Sequence, residues 1–138
     1  MTAKDYLSQA YWLDRQIDCK LEQLRTLNAL ATRTTGVISE SPVSHSRNPH
    51  SMEDVIVKII SMEKEINADV DRLVDLKTEI QGIIREIPSM EYQLVLDLRY
   101  MCFKNWEEIA EKMHCSKSNI FKTHARALQE FGKQFAKE

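Results

Sequence analysis

Apolar residues recur at alternating steps of three and four along two long stretches of this chain. From Leu7 the series runs Leu7, Ala10, Asp14, Ile17, Leu21, Leu24, Asn28 and Ala31, a mostly apolar stripe that predicts an amphipathic helix over residues 4–34. From Ile56 it runs Ile56, Ile59, Glu63, Ile66, Val70, Leu73, Lys77, Ile80, Ile84 and Ile87. Ser51, with Asp54 three residues on, makes a capping-box-like start to this second helix, and Pro88 ends it at the residue before. At 1.5 Å per residue each helix is on the order of 50 Å long, and the matched lengths predict an antiparallel hairpin. Gly36 is placed to end the first helix. Residues 36–51, with Pro42, Pro49 and five serines among positions 37–51, then read as its loop.

Asp14, Asn28, Glu63 and Lys77 interrupt the stripes. Because a buried unpaired charge is costly, they are expected at the stripe edge in water; buried and paired, they would specify register. Ile60, Val74, Leu76 and Ile83 widen the second stripe beyond what one partner helix covers. That predicts a further partner, most simply the same hairpin of a second chain, giving a homodimer through residues 4–87.

After Pro88 the period persists in shorter pieces, each opened by a capping residue. Ser89 precedes a helix to about Met101 with Met90, Leu94, Val95, Leu98 and Tyr100 or Met101 inward. Asn105, with Glu108 three on, opens Trp106–Met113. Ser116 opens Lys117 to about Lys137, with Ile120, Thr123 or His124, Ala127, Leu128, Phe131 and Phe135 inward. Only His114, Cys115 and Ser116 separate the last two helices. A short helix, a turn of about three residues and a second helix that is basic at its start form a helix-turn-helix pattern. The predicted architecture is all-α: a coiled-coil-like hairpin over 1–88 and a three-helix helix-turn-helix domain over 89–138.

Composition agrees. With three Gly and three Pro in 138 residues, a sandwich or barrel would lack turn residues. No apolar run approaches the roughly 18 residues that cross a bilayer, so no membrane partner is expected. The opening Met1-Thr2-Ala3-Lys4-Asp5 runs into a charged amphipathic pattern rather than a signal-peptide core, and Cys19, Cys102 and Cys115 are odd in number and widely spaced. Both point to a reducing cytoplasm. Net charge is −2, which by itself argues against nucleic acid, but residues 36–88 carry −4 while residues 117–133 carry +3. One basic helix is hidden by an acidic one.

The residues of the C-terminal segment carry a resemblance. Leu98-Arg99-Tyr100, then Trp106-Glu107-Glu108-Ile109-Ala110-Glu111-Lys112-Met113-His114-Cys115-Ser116-Lys117-Ser118-Asn119-Ile120, then Ala125-Arg126-Ala127-Leu128, resemble region 4 of bacterial sigma factors without a gap over roughly residues 90–131. Ile109, Ala110 and Met113 are expected to pack the first helix of the pair, Ser116 to cap the second, and Ile120 and Leu128 to pin it. The first 88 residues do not resemble the other sigma regions. A long coiled half joined to a region-4-like module is similar, more loosely, to small regulators encoded by phages and prophages of Gram-positive bacteria.

The resemblance implies a double-stranded DNA partner in a bacterial cytoplasm, with the second helix in the major groove. Alignment places Lys117, Ser118, Phe121 and Lys122 on the reading face, and helix geometry independently sets 117, 118, 121, 122 and 125 opposite Ile120. Lys117 and Lys122 are expected on guanine edges or phosphates, and Ser118 on either. Ser116 with the helix's amino end suits a phosphate, Asn119 and Arg126 lie at the margins, and Phe121 is poised between a thymine methyl and packing against the first helix or another protein. The family's reading positions usually carry arginine, glutamate or glutamine. Promoter −35 recognition therefore does not transfer.

Two further readings compete. One is a phage DNA-packaging subunit of the small-terminase kind; the other is a protein-interaction module that contacts RNA polymerase. Chemistry is not expected. Cys102, His114, Cys115 and His124 lack the paired close spacing of a zinc site, so no metal or other cofactor is implied, and Cys102 and Cys115 are expected to fill the core. His45 and His50 sit beside serines in a connector that offers no rigid pocket, and no phosphate-binding glycine loop is present. Tyr6, Tyr11 and Trp12 read as core or as a partner anchor. The expectation is a non-enzymatic regulator.

Overall fold

The structure, a computed structural model, describes residues 1–40 and 51–137, with side chains for 1–33 and 51–137. All regular elements among them are helical: α1 (Ala3–Glu40), α2 (Met52–Arg85), α3 (Met90–Leu96) running into a π-helical turn (Asp97–Met101), α4 (Trp106–Lys112) and α5 (Lys117–Lys137). Capping chemistry sets the starts. Thr2 Oγ1 accepts from the Asp5 amide while the Asp5 carboxylate accepts from the Thr2 amide. Hydrogen bonding from the Thr2 side chain, and then from its amide, holds the Asp5 carboxyl below its usual value. Ser51 accepts from the Asp54 amide, as its spacing predicts.

Gly36 does not end α1, which continues to Glu40. A lone glycine inside a long helix costs only about 1 kcal/mol, less than the surrounding turns supply. Positions 37–40 of the expected loop are therefore helical, and the rest of that loop, with His45 and His50, lies outside the described residues.

The chain forms two compact units: Arg15–Asp71, and Met1–Asp14 together with Arg72–Glu138. Compactness thus divides the chain elsewhere than at residue 88. In the first unit α1 and α2 run antiparallel, tied by Lys20, whose ammonium donates to the Asp69 carboxylate at 2.5 Å. Ile17, Val55, Ile66 and Asp69 are buried here. The expected stripe of α2 holds at Ile66, Ile80 and Ile84, which are buried, but at two positions the preceding residue takes its place: Ile56 and Val70 are exposed and Val55 and Asp69 are covered. Over a 34-residue helix the 3.6-residue turn drifts against a strict seven-residue repeat, and a sequence stripe this wide does not fix which edge faces the partner. Glu63 and Asn28 are exposed, as expected for stripe-edge positions.

The second unit has one core. Tyr6, Leu7 and Ala10 of α1, Ile80, Ile83 and Ile84 from the end of α2 and Ile87 just after it cluster with Val95, Leu96, Tyr100, Ile109, Ala110, Ile120, Ala127 and Phe131. Tyr6 packs on Phe135 with ring centroids 4.6 Å apart. Ile83 is buried and Leu76 half-buried against this core, so of the four residues expected to need an outside partner only Ile60 and Val74 stay exposed. Lys77 is satisfied within the unit: its ammonium donates to the Met101 carbonyl and lies 4.6 Å from the centre of the Phe103 ring. Tyr11 and Trp12 are exposed.

In α3, Met90 and Leu94 are exposed and Leu96 is fully buried, contrary to the expected apolar face. A π-helical turn follows these residues, with the Cys102 amide donating to the Asp97 carbonyl five residues back. Cys102 is likewise exposed rather than in the core, and Cys115 is half-buried.

Candidate nucleic-acid interface

Local chemistry builds the helix-turn-helix pair. Asn105 caps α4, its side-chain oxygen accepting from the Glu108 amide at 2.8 Å. The helix ends in a Schellman motif: Cys115 donates to the Ala110 carbonyl and His114 to the Glu111 carbonyl, with His114 at φ 55° in the left-handed position where glycine is usual. Ser116 then caps α5, accepting from the Asn119 amide at 3.1 Å. Two caps and one reversal thus fix the turn within four residues.

Packing holds α5 in place. Ile120, Ala127 and Phe131 are fully buried, and both Thr123 and His124 face inward. Trp106, at the start of α4, is the hub. Its ring meets His124 (4.7 Å between centroids) and Phe121 (5.3 Å) edge-on, and the Arg99 guanidinium stacks 4.2 Å from its centre. Arg99 is itself held by a bond from its guanidinium to the Lys104 carbonyl. Behind this layer Tyr100 Oη and His124 Nε2 lie 2.7 Å apart.

Burial pushes the His124 imidazole down to about 4, with Arg99 and Lys4 adding repulsion. It also pushes the Tyr100 phenol up to about 12. An unfolded histidine titrates near 6.5, so the folded state binds fewer protons between pH 4 and 6.5. The stability from neutral His124 is complete above about pH 6.5 and falls as the pH drops toward 4. Between pH 7.5 and 5.0 the protein is expected to lose about 1–2 kcal/mol more than a His124→Gln variant, read from urea unfolding at both values. Equal losses would show that His124 is not held neutral.

The residues expected to face DNA are all exposed on the first three turns of α5: Ser116, Lys117, Ser118, Asn119, Phe121, Lys122 and Arg126. They divide by neighbour. Lys122 and Arg126 follow Asn119 up one side, an unobstructed basic ridge, since neither cation has a carboxylate within ion-pair distance among the described residues. Lys117 is engaged: its ammonium donates to Glu107 of α4 at 3.0 Å, which holds the Glu107 carboxyl below its usual value. Phe121 packs on Trp106 of α4, one of the contacts expected of it, and remains 46% exposed.

Sequence reasoning missed Glu107 as the partner of Lys117 and missed the Arg99–Trp106 stack. Neither pair has a periodic signature, because the turn and the π-helical segment bring them together. Glu107 of α4 is paired with Lys117 at the start of α5, so the positive surface is narrower than the charge count of α5 suggests.

These elements define an all-α protein with a long helical hairpin and a helix-turn-helix pair. Residues 34–132 match the family model described as "Protein of unknown function (DUF1492)", and the chain belongs to that family. No curated protein matches the chain, and no solved structure matches it. Among the described residues no helix is long and apolar enough to cross a membrane.

Proposed function

We propose that this protein is a homodimeric, sequence-specific DNA-binding regulator that sets the amino-terminal half of α5 in the major groove. One observation carries the reading. A helix that is capped, buttressed by Trp106 and preceded by a tight reversal presents Ser118, Phe121, Lys122 and Arg126 outward, all of them exposed. Lys122 and Arg126, one turn apart, suit phosphates or guanine edges, Ser118 suits a base edge, and the free rim of Phe121 suits a thymine methyl. The resemblance to sigma region 4 supports the same face and extends the reading to transcription in a phage or prophage setting.

Selection of bound fragments from sheared genomic DNA is the direct experiment. Enrichment of one sequence is expected. Binding with no enriched sequence would overturn specific recognition.

Glu107 acts against DNA in this arrangement, by its own charge and by occupying Lys117. A Glu107→Gln variant is expected to bind DNA several-fold more tightly, with a log–log salt slope steeper by about one. Its folding stability should hardly change, because an exposed pair of this kind contributes about 0–1 kcal/mol. Unchanged or weaker DNA binding, measured by fluorescence anisotropy, would remove Lys117 from the interface.

A further inference from the structure

The side of α2 next to its buried stripe carries a second series that nothing in the described chain covers. Ile56, Ile60, Glu63, Asn67, Val70 and Val74 succeed one another at steps of four, three, four, three and four along a single helix. All are exposed, the four aliphatic side chains by 39–57%. Glu63 and Asn67 make no hydrogen bond or ion pair within the described chain. The series spans about 27 Å of helix, the length of a short coiled-coil seam.

Both its spacing and its polarity read the same from either end: two aliphatic residues, two polar, two aliphatic. Such a pattern is complementary to itself when reversed. We infer that a second copy of this chain docks antiparallel along this face of α2, about a two-fold axis level with Glu65. Ile56 then meets Val74 of the second copy, and Ile60 meets Val70. Glu63 meets Asn67, twice, with the amide donating to the carboxylate.

A parallel pairing in register would instead set Glu63 against Glu63 inside the seam, where two like charges lose water without gaining a partner. DNA is a poor occupant, because residues 36–88 carry a net −4. The inference rests on the dimeric part of the proposed function and specifies its surface and direction.

Light scattering on the full chain at micromolar concentration tests the surface. Wild type is expected at twice the 16.1 kDa chain mass, and an I60E/V70E variant at the chain mass with unchanged helical circular dichroism. The fold should survive, since both side chains are exposed. Cross-linking tests the direction. In a chain carrying Cys19→Ser, Cys102→Ser and Cys115→Ser, I60C mixed with V70C should oxidise to the mixed disulfide, while I60C alone should not cross-link.

Self-cross-linking of I60C would overturn the antiparallel arrangement. A dimer that survives I60E/V70E would overturn this surface yet leave a dimeric regulator standing. A monomeric wild type would overturn both, and DNA titration of the same monomer judges the DNA-binding reading separately.

Discussion

Replacing Trp106 with alanine is expected to lower the stability of the C-terminal unit by about 2–4 kcal/mol, and with it the melting temperature by roughly 10–20 °C. The size reflects what the indole touches. It loses edge-on contacts to Phe121 and His124, the Arg99 guanidinium loses its stacking face, and the gap opens between α4 and the first turns of α5. Truncating a fully buried aromatic costs about 3–5 kcal/mol; Trp106 is half-buried, so the lower part of that range applies. Trp106→Phe should recover much of the loss, because a phenyl ring keeps the edge-on geometry. Thermal unfolding followed by circular dichroism at 222 nm is the measurement. A shift below about 4 °C for the alanine variant would mean that α5 is positioned by Ile120, Ala127 and Phe131 alone.

The helix-turn-helix segment was largely legible in the sequence because its boundaries are local. Asn105 and Ser116 announce the two helix starts by residue type, and each accepts the bond its type predicts. The outward face of α5 was legible for the same reason, since Ile120 and Ala127 fix its phase over a short helix. Phase was lost where helices are long or irregular. In α2 Val55 and Asp69 are buried in place of Ile56 and Val70 while Ile66, Ile80 and Ile84 keep the expected phase, and in α3 Leu96 rather than Leu94 enters the core.

Contacts that join distant positions left no pattern to read. Lys20 with Asp69, Tyr100 with His124 and Glu107 with Lys117 are products of the tertiary fold. So is the exposure of one face of α2. An over-wide apolar stripe suggests an outside partner, but only the structure separates Ile83, which the chain's own core covers, from Ile60 and Val74, which stay exposed.

Net charge misleads here in both directions. The total of −2 hides the basic ridge of α5, while the local +3 of residues 117–133, in which Glu130 already offsets Lys133, overstates it because Lys117 is paired with Glu107 of α4. In the proposed interface that leaves Lys122 and Arg126 as the unpaired cations among the described residues of 117–133. Their joint replacement by alanine is therefore the second large effect. Each phosphate contact contributes close to one unit of salt slope, and losing two should weaken binding by about 10- to 100-fold at physiological salt. Folding should be unaffected within about 0.5 kcal/mol, since both side chains are exposed.

The decisive measurement for DNA recognition through α5 is a salt titration of DNA binding by fluorescence anisotropy, wild type beside Lys122→Ala/Arg126→Ala. Wild type is expected to bind a selected duplex with a steep inverse dependence on salt, and the variant to bind weakly, with a slope smaller by about two. A variant that binds with wild-type affinity and slope would contradict recognition through α5, as would a wild-type protein that binds no DNA at low salt.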